Sequence, residues 1–133
     1  MIYLIDTDTL IFYLRGRTEV VERILGEDID DLCTSSVCLG ELYYGAVKSS
    51  QRERRTAEVD ELKQYLPLIS FGAAETQRFG KLKANLELRG EKLSDADLMI
   101  AATALEHNLT LVTGNSKHFN RIKRLTIDNW IKR

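Results

Sequence analysis

The chain has 133 residues, 44% of them apolar by type, and its 19 Lys and Arg against 20 Asp and Glu leave a formal net charge of −1. At roughly 100–200 residues per domain this predicts one domain, residues 1–133, and the apolar share supports a packed core and excludes a disordered chain. The charge balance excludes a uniformly basic nucleic-acid binder, and uncharged stretches such as residues 32–40 fall far short of the ~20 apolar residues a membrane span needs.

Residues 2–5 (Ile-Tyr-Leu-Ile) have the pattern of a buried parallel strand. They run directly into Asp6 with no basic segment ahead, so no secretory leader is expected. Helical spacing covers residues 9–14 and 19–25. Residues 32–34 read as a weak strand, and Ser35 or Ser36 caps a helix through about Val47. Cys33 and Cys38 fall here. Two cysteines are too few for a disulfide framework or a closed zinc site, and their apolar neighbours predict buried free thiols in a reducing cytoplasm. Residues 53–66 look helical, and their mixed charges predict an exposed face. A short strand at 68–71 follows Pro67. Residues 73–88 form a long amphipathic helix ended by Gly90. Ser94 opens another helix to about His107, stopped by Asn108. Residues 109–113 are the clearest strand after the first, and 125–127 are the last. Short strands separated by helices imply an α/β fold with a mostly parallel central sheet flanked by helices. From Lys117 to Arg133 six basic residues face one acid, so this end is net +5 and the first 116 residues carry −6. Such an end suits a phosphate backbone; a solvated chain terminus is the plainer reading.

In parallel sheets ligands bind outside the carboxyl ends of the strands. Two strand ends carry polar residues: Asp6-Thr7-Asp8-Thr9 and Thr113-Gly114-Asn115. Asp6 and Asp8 also have a reading as caps of the strand-to-helix turn. Glu41 is the only charge between Asp31 and Lys48, in a helix that is apolar or small on most sides, which favours a metal ligand or a paired acid. Ser94 and Asp97 have capping-box spacing, and Asp95 suits the helix dipole. Asp97 nevertheless opens an apolar helix and can face inward. Asp6, Glu41 and Asp97 on one edge would repel unless a cation sat among them. Oxygen ligands without Cys or His select a hard cation, Mg²⁺ or Mn²⁺, which acts on phosphates.

Several segments in this order resemble the PIN-domain ribonucleases, and among them the VapC-type toxins of toxin–antitoxin pairs. They are Leu4-Ile5-Asp6-Thr7-Asp8, Ser35-Ser36 followed by Gly40-Glu41-Leu42 and Gly45, Asp97-Leu98-Met99-Ile100-Ala101-Ala102, Leu111-Val112-Thr113-Gly114-Asn115 with His118-Phe119, and Asn129-Trp130. The resemblance implies a Rossmann-like PIN fold and a Mg²⁺-dependent endoribonuclease. Its acidic site falls on Asp6, Glu41 and Asp97, with Mg²⁺ held by Asp6 and Asp97 and by Glu41 directly or through water. Asp95 adds negative charge, and Thr113 orients a ligand or water. Asn115 stands where a further acid often occurs, which puts a second metal in doubt, and Asp8 stands where Asn is commoner. The resemblance also implies attack of water on a phosphodiester with the 3′-oxygen leaving, a homodimer, and a small antitoxin whose tail blocks the acidic site. Lys117, Arg121, Lys123 and Arg124 are candidates for RNA phosphates. Leu10, Phe12, Tyr13, Tyr43, Tyr44 and Val47 are candidates for protein contacts, or for ordinary core.

Two rivals stand beside this reading. Asp6-Thr7-Asp8-Thr9-Leu10 also fits the first motif of haloacid-dehalogenase-like phosphatases, with Asp6 as nucleophile. That family needs a later Lys and acidic pair, and only 18 residues follow Asn115, with Asp128 their sole acid. A non-catalytic PIN-fold module that binds RNA or protein is the other; three retained acids argue against it. A response-regulator receiver fits the length, but residues 68–71 lack its phospho-acceptor Asp.

Overall fold

The computed structural model describes residues 1–131; Lys132 and Arg133, two of the basic residues counted at the chain's end, lie outside the described residues. The apolar run at the start of the chain becomes β1 (Tyr3–Ile5), the central strand. It is followed by α1 (Thr7–Leu14), α2 (Thr18–Gly26), a 3-10 turn at Ile29–Asp31, and β2 (Leu32–Ser35). Next come α3 (Ser36–Lys48), α4 (Arg52–Tyr65), β3 (Leu68–Ile69), α5 (Ala73–Leu88) and α6 (Asp95–Glu106). β4 (Thr110–Val112), α7 (Ser116–Phe119) and β5 (Ile127–Asp128) complete the order. All four strand pairings are parallel, in the order β3-β2-β1-β4-β5. The chain builds outward from β1 to β3, then crosses to the other side of β1 to add β4 and β5. The boundary between β1 and β4 is therefore the topological switch point, where such sheets open a crevice at the strands' carboxyl ends.

Strand alternation sorts the core into two layers. Leu4, Cys33 and Leu111 face one cluster with Leu98, Ile100, Ala101 and Phe119. Ile5, Leu32 and Val112 face the other with Leu10, Val20, Leu42 and Trp130. This pattern is what a sheet covered on both faces requires. Three helices end in the same way. Gly16, Gly90 and Asn108 adopt positive φ (77°, 70° and 53°), and after each the next amide reaches back to a carbonyl of the last turn, as in Glu91 to Leu86 (2.8 Å) and Leu109 to Ala104 (2.8 Å). Gly90 and Asn108 were the expected stops.

The expected elements are present with small shifts. The cap of α3 is Ser35, whose hydroxyl accepts from Cys38 N at 3.0 Å. β3 is two residues rather than four, and the last strand lies at Ile127–Asp128 rather than 125–127. The one-turn helices at Ile29–Asp31 and Ser116–Phe119 had no periodic signal, because such short elements hold no full apolar repeat. No helix among the described residues is long and apolar enough to cross a membrane.

Candidate active site

Asp6 follows β1 directly. Its amide still donates to the Val112 carbonyl (2.9 Å), continuing the ladder with β4, while its side chain caps α1. It is 4% exposed. Oδ1 accepts from Thr7 N (2.8 Å) and lies 3.8 Å from the Cys38 thiol, which donates to it. Oδ2 accepts from Thr113 Oγ1 (2.7 Å). Burial pushes this carboxyl from 3.8 up to about 7. The Thr113 hydroxyl and Thr7 amide oppose the shift, and the charges of Asp8 and Asp97 add to it. An ionised Asp6 is thus held against desolvation and like charge, the condition a bound cation relieves.

The other acids reach the same edge from separate elements. Glu41, on the second turn of α3, accepts from Thr7 Oγ1 at 2.6 Å and is half-buried. Asp97 lies in the first turn of α6, where Ser94 Oγ accepts from its amide (3.1 Å), and the helix N-terminus favours its charge. Its charge acts on Asp6, so the two carboxylates share one site. Asp95 lies elsewhere. It is exposed and pairs with Lys83 of α5 at 3.0 Å, and it is not among the charges that shift Asp6.

Asp8 closes the floor. Oδ1 accepts from Thr9 N (2.7 Å) and Thr9 Oγ1 (3.1 Å), and Oδ2 accepts from Gly114 N (2.9 Å). It clasps the first turn of α1 to the turn after β4. The approach is close enough that a Cβ on Gly114 would lie 2.8 Å from Asp8 Oδ2 and 2.8 Å from Ile131 Cδ1. Both Asp8 oxygens accept, which a carboxylate does and an amide cannot. Thr113 is fully buried, and its hydroxyl accepts from Asn115 N (3.0 Å) while donating to Asp6. The expected orienting hydroxyl is therefore engaged with Asp6 itself. Asn115 is exposed at the start of α7, with no side-chain cap bond.

The basic candidates diverge. Lys117 is exposed on α7. Arg121 donates to the Lys92 carbonyl, and its own carbonyl accepts from Arg89 Nη2 (2.8 Å), so it ties two loops together. Lys123 and Arg124 are exposed on the segment entering β5. Of the apolar candidates, Leu10 is core, and Phe12, Tyr13 and Tyr43 pack against the core. Tyr44 (66% exposed) and Val47 (47%) stand on the surface. Cys33 and Cys38 are buried free thiols, both pushed up to about 12 by burial.

Two residues gain a place that sequence reasoning did not give them. Thr7 joins Asp6 to Glu41 through its amide and hydroxyl. Its signal was a hydroxyl between two acids at a strand end. Cys38 touches Asp6, and its spacing from the Ser35 cap puts it in the first turn of α3, facing the sheet.

Among the described residues no three His, Cys, Asp or Glu side chains close into a metal cage. The donor set still fits Mg²⁺, which keeps several waters and is usually held by one or two carboxylates together with substrate phosphates.

The PIN domain family model matches residues 3–125. The chain is 31% identical to ribonuclease VapC2 of Haemophilus influenzae, over 97% of this chain and 98% of that protein. It is 30% identical to the tRNA(fMet)-specific endonuclease VapC of Shigella flexneri, over 96% and 97%. The crystal structure of VapBC2 from Rickettsia felis bound to a DNA fragment from their promoter superposes with a TM-score of 0.91 at 32% identity, covering 98% of this chain and 100% of that one. The switch-point position of Asp6, the arrival of Glu41 and Asp97 beside it, and these full-length similarities agree: the chain belongs to the PIN-domain family and, within it, to the VapC proteins.

Proposed function

We propose that this chain, a single PIN domain over residues 1–133, is a Mg²⁺-dependent endoribonuclease and the toxin of a pair with a small VapB-type antitoxin. The observation that carries the reading is Asp6 at the end of β1, whose carboxyl is pushed up to about 7 chiefly by burial and further by the charges of Asp8 and Asp97. Asp6 and Asp97 would hold the ion, with Glu41 beside them directly or through water. Mn²⁺ suits the same donors. When bound, the ion would set positive charge against a phosphate oxygen and acidify a water. The chain's own groups prepare that chemistry. Thr113 and Thr7 fix the rotamer of Asp6, so its free lone pairs point in one direction. Thr7 also fixes Glu41, and the Asp8 clasp keeps Thr113 and Asn115 in place. In the reaction a water oxygen attacks phosphorus and the bond from phosphorus to the 3′-oxygen breaks. A proton ends on that oxygen, leaving 5′-phosphate and 3′-hydroxyl ends. Lys117, Lys123 and Arg124, with Arg121 where its fork is free, would hold RNA phosphates.

The open acidic edge suits an unpaired loop better than a duplex interior. The antitoxin reading is supported by a narrow apolar groove of about 90 Å³ between α1, α3 and α4, lined by Ile11, Leu14, Leu42 and Val59 with Glu41 at its margin. A partner segment seated there would reach the acidic site. Exposed Tyr44 and Val47 suit a homodimer contact. Two buried, unpaired thiols suit a reducing cytoplasm.

The test is cleavage of total RNA by protein stripped of any partner, with Mg²⁺, with EDTA, and with Asp97→Asn. Discrete fragments lost with EDTA and with the variant are expected. Absence of cleavage, with normal folding and no Mg²⁺ or Mn²⁺ binding by calorimetry, would favour a non-catalytic binding module.

A further inference from the structure

We propose that a basic cleft between α5 and the segment entering β5 binds the phosphate backbone of a single RNA strand. The proposal rests on the RNA-cutting reading above and joins its Lys123 and Arg124 to Arg78, Lys81, Asn85 and Arg89, which that reading does not use. On α5 and its C-terminal cap, Arg78, Lys81, Asn85 and Arg89 are spaced by three, four and four positions, which places them on one side of the helix. Lys123 and Arg124 stand opposite. Together they wall a cleft of about 390 Å³ with no carboxylate in its lining. Arg89 donates Nη2 to the Arg121 carbonyl (2.8 Å), and the acid contacts of Arg78 and Arg89 are long and partly exposed, to Glu106 at 3.7 Å and Glu91 at 3.8 Å. Such pairs hold little. Lys81, Lys123 and Arg124 enter no ion pair among the described residues.

Five cations in one cleft of a chain whose net charge is −1 repel one another, and a polyanion relieves that repulsion. The floor favours nucleic acid over an acidic peptide. It is apolar, built by Leu82, Leu86 and Ile122, so a base or ribose face can rest there while phosphates meet the walls. Arginine forks suit phosphate oxygens, and the Asn85 amide is placed for a base edge. The cleft flanks α6, the helix that carries Asp97 in its first turn. Leu105, which lines the cleft, stands eight positions after Asp97 on α6, about 12 Å along the helix axis. A strand held at the acidic edge can continue into the cleft.

The experiment measures binding apart from cleavage. A labelled single-stranded RNA oligonucleotide is titrated with full-length protein in EDTA, across a salt series, by fluorescence anisotropy. The variant is the triple Lys81→Gln, Lys123→Gln, Arg124→Gln, all exposed positions. Lys48→Gln, outside the cleft, is the control. Three lost phosphate contacts lower the slope of log affinity against log salt by about 2, and raise Kd by about 10- to 100-fold at roughly 0.1 M salt. An unchanged slope in the triple variant, or an equal loss in Lys48→Gln, overturns the proposal. So does poly-glutamate binding that depends on the three residues when RNA binding does not. The two readings fail separately. Wild-type protein that binds through the cleft but never cuts RNA refutes the nuclease reading alone. Unaltered RNA affinity and cutting by the triple variant refute the cleft, and with it the phosphate role of Lys123 and Arg124, while the nuclease reading stands.

Discussion

Replacing Asp6 with Asn removes a charge that the fold holds at a cost, so it should stabilise the metal-free protein while abolishing RNA cleavage. The carboxyl is pushed from 3.8 to about 7, mainly by burial. In this window the native state binds a proton that the unfolded state has already released. Native stability is therefore full below the unfolded value and falls as pH rises toward the folded value. Three pKa units at about 1.4 kcal/mol each amount to about 4 kcal/mol lost by the wild type between about pH 4 and pH 7. Asn does not titrate, so this loss is absent from the variant. Its one carbonyl oxygen can accept from Thr7 N or from Thr113 Oγ1 but not from both sides, which leaves one donor short of a partner at about 1 kcal/mol. The net expectation is a variant about 3 kcal/mol more stable than wild type near neutral pH, and slightly less stable near pH 4. Urea unfolding in EDTA at a series of pH values measures this. Other titrating groups cancel in the difference between the two proteins. Parallel stability curves across the window would refute the reasoning, because they would mean that Asp6 is not destabilised by burial.

Three further expectations follow from the same geometry. Thr113→Val keeps the shape but removes the donor to Asp6 and the acceptor of Asn115 N, so it should cost about 1–3 kcal/mol in urea unfolding and lower the cleavage rate with RNA affinity unchanged. Gly114→Ala forces a Cβ to within 2.8 Å of Asp8 Oδ2 and Ile131 Cδ1, and should cost about 1–3 kcal/mol through overpacking; Asp8→Ala in the same background should relieve part of that cost in a double-mutant cycle. The two thiols should resist a colourimetric thiol reagent in the native protein and both react after unfolding, because both are fully buried and pushed up to about 12. Rapid native labelling of Cys38 would show that the packing between α3 and Asp6 opens in solution.

The order of elements and the identity of the acids are legible in the chain. The apolar run at residues 2–5 ends in Asp6 because a buried strand must stop where charge begins, and that local rule needs no tertiary knowledge. Glu41 stood out because it is the lone charge in an apolar helix, and Ser94 marked the helix that carries Asp97. Caps, stops and alternation are short-range, so they are written in neighbouring residues. Which acid serves which end depends on packing between distant segments. Asp95 and Asp97 are two residues apart, yet one pairs with Lys83 and the other acts on Asp6, because positions two apart on a helix point in different directions. Asp8 became a clasp because the crossover of β4 to the side of β1 brings Gly114 within 2.9 Å of it, across a separation of 106 residues. Thr113 meets Asp6 for the same reason, while Cys38 reaches it from α3, which follows β2 on the opposite side of β1. Hydrogen bonds between distant segments depend on strand order, and strand order is set by how the two apolar faces of the sheet are covered rather than by any local run of residues.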